Sequence, residues 1–219
     1  YSKFAKARFT SHLDTARVFE RALRRVNVTV AMSNGYSPRP KIATGPPLSL
    51  GYTSNAEYID IEMCGSLPMP FAEVMNKTLP SGFNVRDWVW MFRKERSLNS
   101  VINHTRYIIS IPENVNRSKL DKNRKELLKR NTYTVVRRKK DKNIEKDIRL
   151  FIADIRLRNG EIHLDLKKNQ QGTAKVREVV GALLPAYRGK EEMLRVERRA
   201  QLIDEHEKMM TPLELVQER

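Results

Sequence analysis

The chain has 219 residues, of which 40% are hydrophobic, enough for one large or two small folded domains. Its 42 Lys and Arg against 26 Asp and Glu give a formal net charge of +16, which favours an anionic partner such as nucleic acid. No long apolar run or secretory leader is evident, so we expect a cytoplasmic protein without membrane contact. The single cysteine, Cys64, excludes an internal disulfide framework and a metal site built from thiolates.

The first half of the chain predicts the order β-α-β-β-α-β. Residues 3–9 mix apolar and basic positions at strand period, and Ser11 can cap a helix over 12–26. The apolar positions of that helix recur at spacings of three and four, which gives it one buried face and one basic face. The remaining predicted elements are a hairpin of strands near 41–50 and 57–63, a helix from Pro70 to 79 and a strand over 83–91.

The second half predicts the same order with either one additional strand or a long bent hairpin in the middle. Its elements are strands over 105–111, 132–138, 147–157, 160–167 and 193–199, with helices over 117–130 and 174–184. We therefore expect an α+β protein of two tandem ferredoxin-like units with antiparallel sheets. The domains should be 1–92 and 104–199, followed by a tail, 200–219, that either forms a docking helix or frays. Because Met32 is the first methionine, we also expect natural residues upstream of Tyr1.

The segment from Ser33 to Lys41 is the strongest candidate binding site. Gly35 permits close approach of the backbone to a ligand, Tyr36 can stack on a base, and the neighbouring prolines present Arg39 and Lys41 to phosphates. The basic helix face can extend this surface through Arg17, Arg21 and Arg24. The alternative is a rigid turn with solvated cations.

Two further segments carry candidate residues. His12 and Asp14 lie where a strand meets a helix, so His12 could act as a general base, or the pair could be a helix cap with an incidental neighbour. The second segment is a basic run that comprises Arg137, Arg138, Lys139 and Lys140. These cations could bind the phosphates of a nucleic-acid backbone, or they could be solvated at the tip of a hairpin. The histidines lack metal-ligand spacing, so we expect no metal site.

Several runs of residues resemble one bacterial family. They are Arg8-Phe9, Ser11 to Asp14, Arg17 to Arg25, Ser33 to Ile42, and Ala56 to Tyr58. The chain resembles the radical-SAM-linked domain of unknown function, which occurs alone or fused after a cobalamin-binding radical SAM protein. Leu150 stands where that family commonly has Pro after an Asp-Ile-Arg corner, which weakens any role inferred there.

The resemblance implies a radical SAM partner, in trans or fused upstream. That partner would hold the iron–sulfur cluster, S-adenosylmethionine and, where it is of the cobalamin-binding type, cobalamin, while this chain would bind no cofactor. The first hypothesis is accordingly an RNA-binding adaptor for modification of transfer or ribosomal RNA. A metal-independent RNA endonuclease similar to CRISPR repeat-processing enzymes, with His12 as base, and a pure protein–protein adaptor are the alternatives.

Overall fold

The structure is a computed structural model that describes residues 1–92, 96–139, 142–205 and 208–218. It is a mixed α+β fold in which antiparallel strand pairs predominate. The chain forms two compact units, the first made of Tyr1–Ile102 and Arg198–Arg219 and the second of Asn103–Glu197. Among the helices of the described ranges, none combines the length and apolar character that crossing a membrane requires.

The first unit begins with short strands and three helices. The strands are β1 (Ser2–Lys3), β2 (Thr29–Val30), β3 (Ile42–Thr44), β4 (Thr53–Ser54), β5 (Ile59–Ile61), β6 (Met63–Cys64) and β7 (Phe83–Asn84). The helices are α1 (His12–Arg25), α2 (Phe71–Thr78) and α3 (Leu98–Val101). Strand β1 pairs antiparallel with both β4 and β7, while β3 pairs with β5 and β2 with β6.

Helix α1 forms where its sequence provides a cap and an apolar stripe. The Ser11 side chain accepts a hydrogen bond from the Asp14 backbone N–H, which satisfies one free donor of the first turn. Phe19, Ala22 and Leu23 are then buried at helical spacing, against the core that α2 and β7 complete. The opposite face carries the exposed arginines.

The second unit contains longer strands. They are β8 (His104–Ser110), β9 (Thr134–Lys139), β10 (Lys142–Asp147), β11 (Ile152–Arg158), β12 (Glu161–Asn169) and β13 (Gly172–Thr173), with helices α4 (Arg117–Lys129) and α5 (Val176–Leu183). Strand β12 pairs antiparallel with β8, β11 and β13. Strands β9 and β10 form a separate antiparallel hairpin. The core is apolar, since inward positions such as Ile109, Ile155 and Leu164 are fully buried.

The C-terminal segment belongs to the first unit from Arg198 onward. It comprises most of β14 (Val196–Glu205), then β15 (Lys208–Met210) and α6 (Pro212–Gln217). Helix α6 begins with a capping box between Thr211 and Glu214. Leu215 of this helix packs on a buried cluster that joins α3 to β14 and β15, so residues 200–219 contain a docked helix.

Three predicted strands are wrong in part, and local contacts explain why. Residues 5–9 form a 3₁₀ helix, because Ala5 has a positive φ of 47° that a strand cannot hold. The strand expected over 83–91 pairs with β1 only at Phe83–Asn84, opposite Lys3 and Ser2, and the next residue, Val85, bonds through its backbone to the Asn76 side chain. The strand expected over 147–157 is interrupted after Asp147, whose carboxylate accepts the Arg149 N–H and so favours a turn.

Candidate nucleic-acid interface

The loop from Ser33 to Arg39 is closed by its own hydrogen bonds. The Ser33 N–H donates to the Arg39 carbonyl at 2.8 Å, and the Arg39 N–H donates to the Ser33 hydroxyl at 2.9 Å. A bridge between Met32 and Pro40 and a bond from the Lys41 N–H to the Ala31 carbonyl continue this pairing toward β3. The loop is therefore a hairpin tip whose ends are fixed.

Tyr36 lies at this tip with its ring fully exposed, at 104% of the reference accessibility. The neighbouring Gly35 has a φ of +128°, a region that residues with a Cβ rarely adopt, so glycine is required for the turn. Arg39 is also exposed, while its backbone is held by Ser33. An aromatic face and a guanidinium thus project from one rigid loop.

Several of the other expected cations are already paired. Lys41 donates to Glu62 at 2.7 Å, Arg17 to Asp14 at 3.1 Å and Arg24 to Glu20 at 2.9 Å. Arg21 is exposed on the same helix. Such exposed ion pairs are weak, because water and salt screen both charges, so each cation can exchange its carboxylate for another anion. The geometry supports Arg39 more strongly than Lys41 as a free phosphate ligand.

His12 and Asp14 lie on the first turn of α1 but have separate contacts. His12 Nε2 is 2.9 Å from Thr44 Oγ1, which links the start of the helix to β3. Asp14 accepts a hydrogen bond from the Ser11 hydroxyl, and this bond, with further help from Arg17, lowers the pKa of its carboxyl group. Both residues therefore have structural contacts at the helix start, and neither contact creates a catalytic pair.

The cations of the basic hairpin do not share one environment in the structure. Arg137 donates from Nε and Nη2 to the two carboxylate oxygens of Glu178 at 2.7 and 2.8 Å, and also to the Thr173 carbonyl, so it anchors β9 to α5. Arg138 is exposed. Lys139 ends β9, and Lys140 lies outside the described residues.

The sequence interpretation missed a basic surface on α4. The second unit has 24 Lys and Arg against 13 Asp and Glu, an excess of 11 within 95 residues. Helix α4 exposes several of these cations, namely Arg117, Lys119, Lys122, Lys125 and Lys129. The signal was present in the sequence as a helix of low hydropathy with basic residues on three sides. Among the residues the structure describes, no cluster of His, Cys, Asp and Glu is arranged to hold a metal ion.

The sequence interpretation also missed a buried ion pair in the first unit. Arg198 donates from Nε and Nη2 to the Glu57 carboxylate at 2.8 and 2.7 Å, and from Nη2 to the Pro46 carbonyl at 2.9 Å. Arg198 is 1% exposed and Glu57 is 6% exposed. The two residues are 141 positions apart, so no local pattern could have indicated the pair.

Comparison with known proteins gives one result. None of the curated proteins is similar enough to the chain to count as a match. Residues 1–177 match a family described as an uncharacterized protein conserved in bacteria (DUF2344). This match covers most of the 219 residues and includes the hairpin tip, α1 and the basic hairpin. The chain belongs to this bacterial family.

Proposed function

We propose that the protein is an RNA-binding accessory factor that works with a radical SAM enzyme in RNA modification. The observation that carries the RNA-binding part is the hairpin tip, where the fully exposed ring of Tyr36 and the exposed guanidinium of Arg39 project from a loop closed by its own hydrogen bonds.

The chemistry of this tip matches single-stranded RNA. Bases stack on exposed aromatic rings, and each such contact is worth about 1–3 kcal/mol. Guanidinium groups bind phosphate through two parallel hydrogen bonds. Because the Ser33–Arg39 bonds fix the loop before binding, little conformational entropy is lost when RNA arrives. The net charge of +16 adds a long-range attraction to any polyanion.

In this proposal, the radical SAM partner performs the chemical step. The resemblance described above supports a radical SAM protein that brings the iron–sulfur cluster and S-adenosylmethionine. Cys64 is the one cysteine of this chain, and a cysteine-ligated cluster needs several thiolates. This chain would then hold the RNA while the partner performs the reaction.

We further infer that both units are ferredoxin-like. In the second unit, the order β11–β12–β8, with α4 after β8 and α5 after β12, supports the βαββαβ pattern. In the first unit, the order β4–β1–β7, with α1 after β1 and α2 before β7, supports the same pattern. The hairpin β9–β10 is then an insertion that follows the first helix of the second unit.

Fluorescence anisotropy with a labelled 20-nucleotide single-stranded RNA tests the stacking contact. We expect Tyr36→Ala to weaken binding roughly 5- to 150-fold, the factor that corresponds to loss of about 1–3 kcal/mol. Phe92→Ala is the matched control, since Phe92 is an equally exposed aromatic residue of the same unit at 94% accessibility.

The control should bind RNA like the wild type, and neither variant should melt differently. The same affinity for the wild type and Tyr36→Ala would eliminate the hairpin tip as the RNA site. Intact RNA after prolonged incubation is also expected, whereas cleavage that disappears in His12→Ala would replace the accessory role with a nuclease.

A further inference from the structure

Helix α4 is fixed on the second unit by its buried face. Leu120 and Leu127 are 1% and 2% exposed. The Asn123 side chain donates to a carbonyl of α5 at 2.9 Å, and the Arg124 guanidinium donates to the Ile155 carbonyl of β11 at 3.3 Å. These contacts give α4 one orientation, so the residues of its outer face lie at set positions.

The outer face of α4 carries a row of exposed lysines, which we call the α4 row. Its members are Lys119, Lys122, Lys125 and Lys129. They recur at spacings of three and four residues, so they lie along one side of the helix over about 15 Å. The whole helix has six Lys and Arg against two acidic residues among its 13 residues, which makes this side strongly positive.

The two carboxylates of α4 neutralise only part of this charge. Asp121 and Glu126 hold three cations of the same helix at distances between 2.8 and 4.0 Å. These three are Lys122, Arg124 and Lys125. Within the described part of the chain, Lys119 and Lys129 form no ion pair. Both ends of the α4 row therefore have an ammonium group that is available to another anion.

The second unit lacks the aromatic platform that single-stranded RNA uses. In the described residues of this unit, none of the aromatic side chains is exposed, and these are Tyr107, Tyr133, Phe151 and Tyr187. Unpaired bases stack on such rings, whereas a duplex hides its bases and is bound through its phosphates and 2′-hydroxyl groups. A row of lysines without exposed rings therefore suits the backbone of a duplex.

We propose that the α4 row binds the phosphate backbone of double-stranded RNA. This inference rests on the proposed RNA-binding function and names its substrate class, an RNA in which a stem accompanies a single-stranded segment. The lysines contact phosphates of the stem, while the hairpin tip of the first unit stacks on an unpaired base. The stem contact gains affinity from counterion release and does not depend on the base sequence.

Fluorescence anisotropy with two labelled RNAs tests this assignment. One RNA is a blunt duplex of about 16 base pairs, the length that double-stranded RNA modules span, and the other is the 20-nucleotide single strand. The α4 variant combines Lys119→Ala with Lys129→Ala, since alanine maintains the helix. It should bind the duplex roughly 10- to 100-fold more weakly, with a salt slope smaller by about two phosphate contacts, and bind the single strand within about threefold of the wild type.

Arg158→Ala combined with Lys167→Ala is the matched control, because it removes two exposed cations of the same unit. Lys167 follows the buried Leu166 along β12, and Arg158 lies opposite Glu161 on β11. Because side chains alternate along a strand, both cations lie on the face of the sheet that points away from the core. The control should bind both RNAs like the wild type, and neither variant should melt differently.

The two RNAs separate a failure of the α4 row from a failure of the hairpin tip. A wild type that binds only the single strand, or an α4 variant that binds the duplex as tightly as the wild type does, would overturn the stem site and leave the hairpin tip untouched. Equal weakening of both RNAs by the α4 variant would also overturn it, because the row would then be a general polyanion surface. Absence of binding to either RNA by the wild type would overturn the proposed function and this site together.

Discussion

Arg198→Met should strongly destabilise the first unit, because it removes one member of the buried pair with Glu57. Methionine retains much of the side-chain length but none of the three hydrogen bonds that Arg198 donates to Glu57 and to the Pro46 carbonyl. The Glu57 carboxylate would remain 6% exposed without its main cation. Breaking a buried pair from one side costs about 3–5 kcal/mol.

A neighbouring lysine places the expected loss near the lower end of that range. Lys3 is 3% exposed, its Nζ donates to the Thr10 carbonyl at 2.6 Å, and burial lowers its pKa while Glu57 raises it. Lys3 can therefore neutralise part of the Glu57 charge after Arg198 is lost. We therefore expect Arg198→Met to lower the free energy of unfolding by about 3 kcal/mol, which corresponds to a fall of roughly 6–12 °C in melting midpoint for a chain of this size.

Urea unfolding followed by tryptophan fluorescence measures this effect, since Trp88 and Trp90 both belong to the first unit. The double variant Glu57→Leu with Arg198→Met should lose less unfolding free energy than the two single variants lose together. We expect this coupling energy to be about 2 kcal/mol or more. A loss below about 1 kcal/mol for Arg198→Met, or single effects that add within about 0.5 kcal/mol, would refute the assignment of Arg198 and Glu57 as a buried pair.

Three further changes test other parts of the structure. Burial raises the pKa of Asp60 from 3.8 to about 6, so the free energy of unfolding should fall as pH rises from 4 to 6. Asp60→Asn should remove this pH dependence and raise the free energy of unfolding by about 1–2 kcal/mol at pH 7.5, measured by urea titration. Gly82→Ala would place a Cβ in steric clash with the Phe4 carbonyl oxygen and should lower the melting midpoint several degrees more than Gly65→Ala, where φ is also positive but space is open. Arg137→Ala should cost about 1.5–3 kcal/mol through loss of its charged bonds to α5, whereas the exposed Arg138→Ala should leave the melting midpoint within a degree or two.

The longer helices could be predicted because their determinants are local, whereas the short helix α3 (Leu98–Val101) was not predicted. Ser11 caps α1 at the expected position, and the buried Phe19 and Leu23 follow at helical spacing. Strand ends depend instead on distant partners. The strand at Phe83 pairs only at Phe83 and Asn84, where Lys3 and Ser2 of β1 lie beside it, and those partners are far away in the sequence.

The candidate site was predictable to the extent that it lies in one loop. Gly35 and the prolines around Arg39 indicated a turn, and the structure has a closed hairpin tip there. The basic run could not be interpreted from sequence alone, because the carboxylate that binds Arg137 is Glu178, 41 positions further along the chain. Whether a cation is free or paired is a property of tertiary contacts.

Salt dependence of RNA binding tests the central claim most directly. The probe is the same labelled 20-nucleotide RNA, titrated at several salt concentrations with the wild type and with Arg39→Ala combined with Lys41→Ala. Lys6→Ala combined with Lys77→Ala is the matched control, since it removes two exposed cations of the same unit.

The wild type should bind with an affinity that falls steeply as salt rises, because phosphate contacts release counterions. The hairpin variant should bind roughly 10- to 100-fold more weakly, with a salt slope smaller by one to about two phosphate contacts, the second only if Lys41 leaves Glu62 for the RNA. The control variant should keep the slope and melt like the wild type. Equal affinities and equal slopes for the wild type and the hairpin variant would contradict the assignment of this loop as the RNA site, and absence of salt-dependent binding by the wild type would contradict the RNA-binding function itself.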